Sequence, residues 1–186
     1  LETVKARHHV LSTKPLSICR EDFDLLLEAY AEAHRRGVWI CDFMTERYDA
    51  LNILTRELMH DTELFGELLP GTADNPSISM RSIHHFFKAV SGQPLIRPAW
   101  YYDVEQQGEG IADVTTHLID LVFWQCFPEI PVHYESDVEV LSASHWPTAV
   151  QPEDFRLSTG TEPFPPYLEK YLRDGVLEVM ANGLML

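Results

Sequence analysis

Lys14 is the first residue whose type and position could support chemistry. It follows a short stretch, His9 to Ser12, that predicts a β-strand ending at Thr13-Lys14-Pro15. In open α/β sheets, ligands bind in the crevice beyond the carboxyl ends of the strands. A lysine there could hold a substrate oxygen or a cofactor. The structural alternative is a surface lysine in a strand-to-helix loop.

A second candidate is the stretch Asp113-Val-Thr-Thr-His117, inside a helix predicted from Ile111 to Cys126. Asp113, His117, Asp120 and Trp124 recur every three or four residues, so they would share one helix face. A carboxylate one turn away can orient the imidazole and raise its basicity, as general-base catalysis requires. The structural alternative is a helix-capping Asp beside a half-buried His. The opposite face already carries enough apolar side chains for core packing: Val114, Leu118, Leu121 and Val122.

Arg97 and the aromatic run Trp100-Tyr101-Tyr102 form a third candidate. Aromatic rings stack on sugar rings and arginine offers a rigid fork of donors, so Arg97, Trp100 and Tyr101 are predicted to contact a substrate. Core or interface aromatics are the alternative. The pairs His8-His9 and His84-His85 suggest metal binding, but adjacent side chains point in different directions and neither pair has a carboxylate or thiolate at ligand spacing. No metal site is predicted.

Composition excludes several classes of protein. With 14 Lys and Arg against 29 Asp and Glu, the net charge of −15 repels phosphate backbones and anionic lipid surfaces, so neither nucleic acid nor membrane is an expected partner. No apolar run is long enough to span a bilayer. Three widely spaced cysteines do not indicate a disulfide framework. A cytoplasmic location is therefore the default, although the chain opens with Leu and an export signal ahead of it is not excluded.

The first forty residues predict a strand–helix–strand unit. Glu21 and Asp22 stand in the first turn of the helix, Arg35 and Arg36 in its last turn, and Gly37 just after it, an order that complements the helix dipole and supplies a C-terminal cap. The second strand, residues 38–41, is apolar on both faces, as in a buried parallel sheet.

Beyond Asp42 the sequence pattern changes. Thr45 is expected to cap a helix over residues 46–60, and a strand is expected near 78–83 with a helical turn or two over 84–90. Residues 94–103 predict extended or looped chain, and residues 138–140 a half-buried strand. A last helix near 166–173, closed by Gly175, and a strand over 176–180 complete the prediction. Asn182-Gly183 is a strong hairpin signal, but only three residues follow it.

The elements predicted at both ends of the chain are incomplete, so the chain is expected to be a fragment. A single βαβ unit cannot cover both faces of a parallel sheet, and a hairpin that returns for three residues leaves a sheet unfinished. An unfinished sheet edge invites pairing, so homo-oligomers through the C-terminal sheet are expected.

Several segments resemble the glucose–fructose oxidoreductase / inositol dehydrogenase family. They are residues 9–16, residues 38–48 and residues 108–120, and the stretches Asp42 to Tyr48, His84 to Lys88 and Arg97 to Trp100 are similar to a branch of oxidoreductases within it. Lys14-Pro15 stands where the family has Glu-Lys-Pro, and Asp113 with His117 fits its Asp-x-x-x-His motif.

The resemblance implies a mixed α/β fold. Residues 1–44 would be the last βαβ unit of a Rossmann domain, and residues 45–186 an incomplete, open, mainly antiparallel sheet domain with helices on one face. It also implies oxidation or reduction of a sugar, inositol or related polyol with NAD or NADP. Lys14 and His117 would lie at the nicotinamide and the reacting carbon with Asp113 beside them, and Lys14 and Pro15 would contact the cofactor. NAD-dependent glycoside cleavage on the same scaffold is an open variant.

Two departures from the family pattern matter. Thr13 replaces the usual glutamate of the lysine motif, and no G-x-G-x-x-G follows a strand. The chain is therefore expected to carry the catalytic part of an enzyme without the pyrophosphate site, and to be inactive alone. The alternative is a non-catalytic remnant used for oligomerisation or carbohydrate binding.

Overall fold

The computed structural model describes residues 1–186. Its strands are β1 (Val10–Thr13), β2 (Ile40–Phe43), β3 (Ala89–Val90), β4 (Gln93–Pro94), β5 (Ala143–Val150), β6 (Leu172–Arg173) and β7 (Val176–Met185). Its α-helices are α1 (Glu2–Lys5), α2 (Arg20–Arg36), α3 (Ala50–Met59), α4 (Thr62–Phe65), α5 (Val104–Gln107), α6 (Thr116–Cys126), α7 (Tyr134–Asp137) and α8 (Pro152–Thr159). Short 3₁₀ segments cover Thr45–Tyr48, Ala99–Tyr102 and Pro166–Tyr171, and Ile111–Thr115 is a π-helical turn. None of the helices is long and apolar enough to cross a membrane.

The predicted strand–helix–strand unit is confirmed. Strands β1 and β2 pair in parallel, with Val10 opposite Ile40 and Thr13 opposite Phe43. Helix α2 is capped by Gly37, whose φ of 67° closes the last turn in the left-handed conformation. The expectation that the second strand is buried on both faces is wrong: burial alternates along both strands, and Leu11 and Trp39 are 70% and 75% exposed. One helix covers only one face of a two-stranded sheet.

Two compact units make up the chain, and the first contains residues 1–80 and 116–139. Within it α3 packs on α6. The C-terminal carbonyls of α6 are satisfied by α3 and its C-cap, because Arg56 Nε donates to the Trp124 carbonyl at 3.2 Å and His60 Nε2 lies 2.8 Å from the Gln125 carbonyl. Asp49, not Thr45, caps α3 through the amides of Leu51 and Asn52. The predicted helix over 46–60 is therefore two pieces that meet at that cap.

The second unit contains residues 81–115 and 140–186. Its three-stranded antiparallel sheet has the order β5-β7-β6. A buried cluster around Tyr102, Phe155, Leu168 and Leu177 forms its core. Aromatic and aliphatic side chains therefore pack against this sheet. The π-turn, Ile111–Thr115, contacts strand β7 of the sheet.

Several predicted elements are wrong. Residues 78–83 and 138–140 form no strand, and residues 84–90 form no helix but a bend that leads into β3. The hairpin lies at Asp174-Gly175, with φ values of 50° and 80°, between β6 and β7. Gly175 is thus a turn residue and not a helix cap. Asn182-Gly183 stays inside β7 because both residues pair with β5. The predicted domain boundary between residues 44 and 45 stays a prediction.

Candidate active site

Lys14 lies where the sequence places it, directly after β1. The side chain is half-buried, and the Lys14–Pro15 peptide bond is cis. Asp42 lies in the neighbouring strand β2, opposite Ser12 in the parallel register. Because the carboxyl ends of parallel strands meet at one edge, Lys14 and Asp42 share the edge at which α/β folds hold their ligands.

Helix α6 carries His117 in its first turn and Asp120 one turn later. Arg47, from the 3₁₀ segment after β2, binds Asp120 with two hydrogen bonds: Nε donates to Oδ2 at 2.8 Å, and Nη2 donates to Oδ1. The Asp120 side chain is 11% exposed, so the ion pair is largely withdrawn from water on the carboxylate side. It ties the segment after β2 to the helix that carries His117.

Asp42 lies among these charged groups. Burial and the negative charge of Asp120 raise the pKa of its carboxyl, while His117, Arg47 and Lys14 act in the opposite direction. The Oδ1 atom is buried and has no hydrogen-bond partner. The structure therefore gathers one buried acceptor and four ionisable side chains at the end of the parallel strands.

Asp42 and Arg47 were not singled out as site residues by sequence reasoning. Both lie in the stretch used for the family resemblance, and Asp42 sits in an otherwise apolar strand. A carboxylate directly after the apolar residues 38–41 is the signal that could have identified it, because ligands bind at the carboxyl ends of parallel strands. Asp120 was predicted only to share the His117 face of the helix, and in the structure it pairs with Arg47.

Asp113 belongs to the second unit, where the π-turn buries it. Tyr101 Oη donates to Oδ2 at 3.3 Å and Gln107 Nε2 donates to Oδ1 at 2.9 Å. Burial and the adjacent Asp113 raise the pKa of Tyr101 to about 12, so this phenol keeps its proton and its donor role across the physiological range.

The single α-helix predicted over 111–126 is in the structure a π-turn, Ile111–Thr115, followed by α6. Such π-turns often mark functional sites.

Two glycines let β7 approach the π-turn. A Cβ on Gly110 would overlap the carbonyl oxygen of Ala181, and a Cβ on Gly183 would overlap the Ile111 side chain. Only residues without a side chain allow this backbone approach. The position of Asp113 therefore depends on contacts with the sheet as well as on its own helix.

Arg97 uses its donors within the protein. Its Nε donates to the Phe86 carbonyl at 2.9 Å and Nη2 donates to the His85 carbonyl at 3.4 Å. The guanidinium carbon lies 4.1 Å from the centre of the Tyr101 ring. Trp100 is 45% exposed. Arg97 thereby positions Tyr101, and direct substrate contacts of Arg97, Trp100 and Tyr101 stay predictions.

Two hollows bear on ligand binding. A narrow one of about 20 Å³, lined in part by His84, Tyr101, Gln107 and Asp113, is too small to enclose a sugar within the second unit. A hollow of about 620 Å³ in the first unit is lined mainly by apolar residues between Thr55 and Ser77, and none of the predicted catalytic residues lines it. The candidate site is therefore identified by its ionisable side chains and not by the hollow of about 620 Å³.

Comparisons with known proteins identify a family and a crystal structure to which the chain is similar. Residues 54–186 match the family described as "Putative oxidoreductase C terminal domain". A crystal structure of a protein named "putative oxidoreductase" from Parabacteroides merdae matches with a TM-score of 0.93 and 44% identity, over 98% of this chain and 42% of that one. The chain thus spans less than half the length of that protein. No match was found among curated proteins. The mixed α/β fold class and the oxidoreductase resemblance are confirmed.

Proposed function

Because the chain belongs to the oxidoreductase C-terminal domain family, we propose that the intact protein transfers hydride between a nicotinamide cofactor and a sugar, inositol or related polyol. The observation that carries the proposal is the placement of Lys14, Asp42 and His117 around the end of two parallel strands in the first unit. A cation, an imidazole and a carboxyl at such an edge are the groups that oxidation of an alcohol needs.

The proton step belongs to His117. In the direction of alcohol oxidation, a ring nitrogen of His117 accepts the hydroxyl proton. The ammonium of Lys14 stabilises the negative charge that grows on the substrate oxygen. Arg47 keeps Asp120 neutralised on α6. This pairing occupies the carboxylate of Asp120 one turn along α6 from His117.

Nicotinamide supplies the hydride acceptor when it is bound. Lys14 and Pro15 are the residues of this chain proposed to contact it, since they leave β1 at the strand edge where α/β folds bind dinucleotides. The donor set fits that role, because a half-buried ammonium suits an anionic or carbonyl oxygen. NAD and NADP remain equivalent choices at this edge.

Asp113 is proposed to orient His117. Both of its carboxylate oxygens accept hydrogen bonds, from Tyr101 and from Gln107, so its own rotamer is held by neighbours in the second unit. A carboxylate fixed in this way can keep an imidazole in one tautomer, which general-base chemistry requires.

The test is steady-state kinetics of the intact protein on a panel of sugars, inositols and polyols with NAD and NADP. His117→Ala should lower kcat by about 10²–10⁴-fold with a smaller change in KM. Lys14→Met should also be severe, and Asp113→Asn should cost less. His133→Ala is the matched control, since His133 is an exposed histidine in the same unit, and it should retain full turnover.

Two results would overturn the proposal. One is a His117→Ala enzyme within threefold of wild-type kcat. The other is absence of turnover of any polyol by the folded intact protein with either nicotinamide, which would favour the non-catalytic remnant.

A further inference from the structure

Glu109 and His145 form a side-chain contact that the proposed proton step does not use. His145 Nδ1 lies 2.6 Å from Glu109 Oε2, and the two residues are 36 positions apart in the sequence. An ionised carboxylate only accepts hydrogen bonds, so Nδ1 is the nitrogen that carries the proton in this contact. The pair therefore joins strand β5 to the segment that leads into the π-turn, and both residues belong to the second unit.

Glu109 is also bound to Asp113 through the main chain. The Asp113 amide donates to the Glu109 carbonyl at 2.8 Å. Asp113 itself is 7% exposed, and its carboxylate accepts hydrogen bonds from Tyr101 and Gln107. Because the Glu109 carbonyl is the acceptor for this amide, a displacement of the Glu109 backbone changes where the Asp113 side chain leaves the π-turn. The position of Glu109 thus helps to determine the position of the Asp113 carboxylate.

The sheet presents His145 at the place where the π-turn approaches it. His145 pairs with Gly183 in the register of β5 and β7, and the Ile111 side chain lies where a Cβ on Gly183 would stand. Just beyond His145 the pairing register of β5 shifts. Such irregularities re-aim side chains and are common next to active sites. His145 therefore meets Glu109 at a point where strand and π-turn are already in close contact.

Both side chains of the pair remain partly in water, since His145 is 50% exposed and Glu109 is 39% exposed. Solvent screens such a pair, and its loss changes a local equilibrium by a factor of about two to five. The contact is thus too weak to decide whether the unit folds. It is strong enough to shift the opening of a short element, because local openings have smaller free energies than global unfolding.

We propose that Glu109 and His145 are positioning residues for Asp113: their contact holds the start of the π-turn against strand β5 and so fixes the place from which the Asp113 carboxylate acts. The inference rests on the proposed role of Asp113 in orienting His117. The effect of the pair passes through the main chain of the π-turn and then through Asp113.

Amide hydrogen exchange in the intact protein, followed by NMR, tests the structural part. In His145→Leu the amide of Asp113 should exchange about two- to fivefold faster, because the contact no longer opposes opening of the π-turn. His145→Asn should restore most of the protection, since its amide nitrogen can donate from the place of Nδ1. The amide of Leu177, in the core of the same sheet, should keep its rate. Unchanged Asp113 exchange in His145→Leu, an equal acceleration at Leu177, or no recovery in His145→Asn overturns the inference.

A double-variant cycle tests whether the two side chains act as a pair. Glu109→Met should accelerate exchange of the Asp113 amide as His145→Leu does, and the double variant should be no faster than either single variant. Glu169→Met is the matched control, because Glu169 is an exposed glutamate in the same unit, and it should leave the rate unchanged. Fully additive effects of Glu109→Met and His145→Leu overturn the pairing.

Kinetics separate this inference from the proposed function. With a polyol that the intact protein turns over, His145→Leu and Glu109→Met should each lower kcat by about two- to fivefold with KM unchanged, and His145→Asn should recover kcat. An effect confined to KM, or wild-type kcat despite faster Asp113 exchange, overturns the positioning role and leaves the proposed function in place. Wild-type kcat in Asp113→Asn overturns the proposed role of Asp113 and this inference with it.

Discussion

Arg47→Met should destabilise the protein more than loss of an ordinary surface ion pair. The side chain of Arg47 donates two hydrogen bonds to Asp120, whose carboxylate is 11% exposed. Methionine keeps much of the aliphatic stem and removes the charge. Asp120 would then remain buried beside Asp42 without its cation, and the negative charge of Asp120 already raises the pKa of Asp42.

The magnitude follows from the exposure of the two partners. Breaking a fully buried pair costs about 3–5 kcal/mol, whereas an exposed pair contributes about 0–1 kcal/mol. Arg47 is 41% exposed, so solvent screening reduces the upper figure. We expect a loss of about 2 kcal/mol in the free energy of unfolding, or roughly 4–8 °C in Tm for a chain of this size.

Urea unfolding followed by circular dichroism measures this loss. The control is Arg20→Met, since Arg20 pairs with Asp24 at 77% and 56% exposure, and it should cost at most about 0.5 kcal/mol. The double variant Arg47→Met/Asp120→Asn should recover part of the loss, because it leaves no unpaired charge. Equal losses for Arg47→Met and Arg20→Met, or a double variant as unstable as the sum of the single variants, would refute the reasoning.

Three further predictions concern the second unit. Gly110→Ala should cost more than about 2 kcal/mol in urea unfolding, because the new Cβ would overlap the carbonyl of Ala181. Tyr101→Phe should cost about 1 kcal/mol by the same assay, since it removes a donor to Asp113. Asp103→Asn should lose stability at pH 6 but approach the wild type as pH falls towards 3. Burial raises the pKa of Asp103, but its hydrogen bonds lower that pKa by more, so the carboxyl has a lower pKa in the folded protein than in the unfolded chain. The stability that these hydrogen bonds contribute is therefore present above the unfolded-state pKa and is lost as pH falls through the folded-state pKa.

Controls for these three variants come from the same unit. Gly92→Ala has open space around its Cβ and only the strain of a positive φ, so a Gly110→Ala loss no larger than that of Gly92→Ala contradicts the overlap. Tyr167→Phe, at an exposed tyrosine, should be neutral, and an equal effect of Tyr101→Phe contradicts the hydrogen bond. A constant gap between Asp103→Asn and wild type from pH 6 to pH 3 contradicts the ionised role of Asp103.

Part of the candidate site could be predicted from local pattern. The sequence predicts Lys14 at the end of a strand, because a short strand-like stretch is followed by a lysine and a proline. In the structure Lys14 directly follows β1. The partners of Asp113 could not be predicted in this way. They are Tyr101 and Gln107, twelve and six residues away. They also depend on a π-turn next to β7 that no helical periodicity indicates.

What the sequence determined by itself is the local order of the chain. Dipole-matched charges and Gly37 define α2, and an apolar pattern defines α6, since each depends on residues within one or two turns. Tertiary structure decided the rest. Three features arise from groups that are distant in sequence. They are the pairing of Arg47 with Asp120, 73 residues apart, the buried oxygen of Asp42, and the course of Asn182-Gly183 through β7. Burial and charge balance depend on which distant segments pack together, and local propensity carries no information about that.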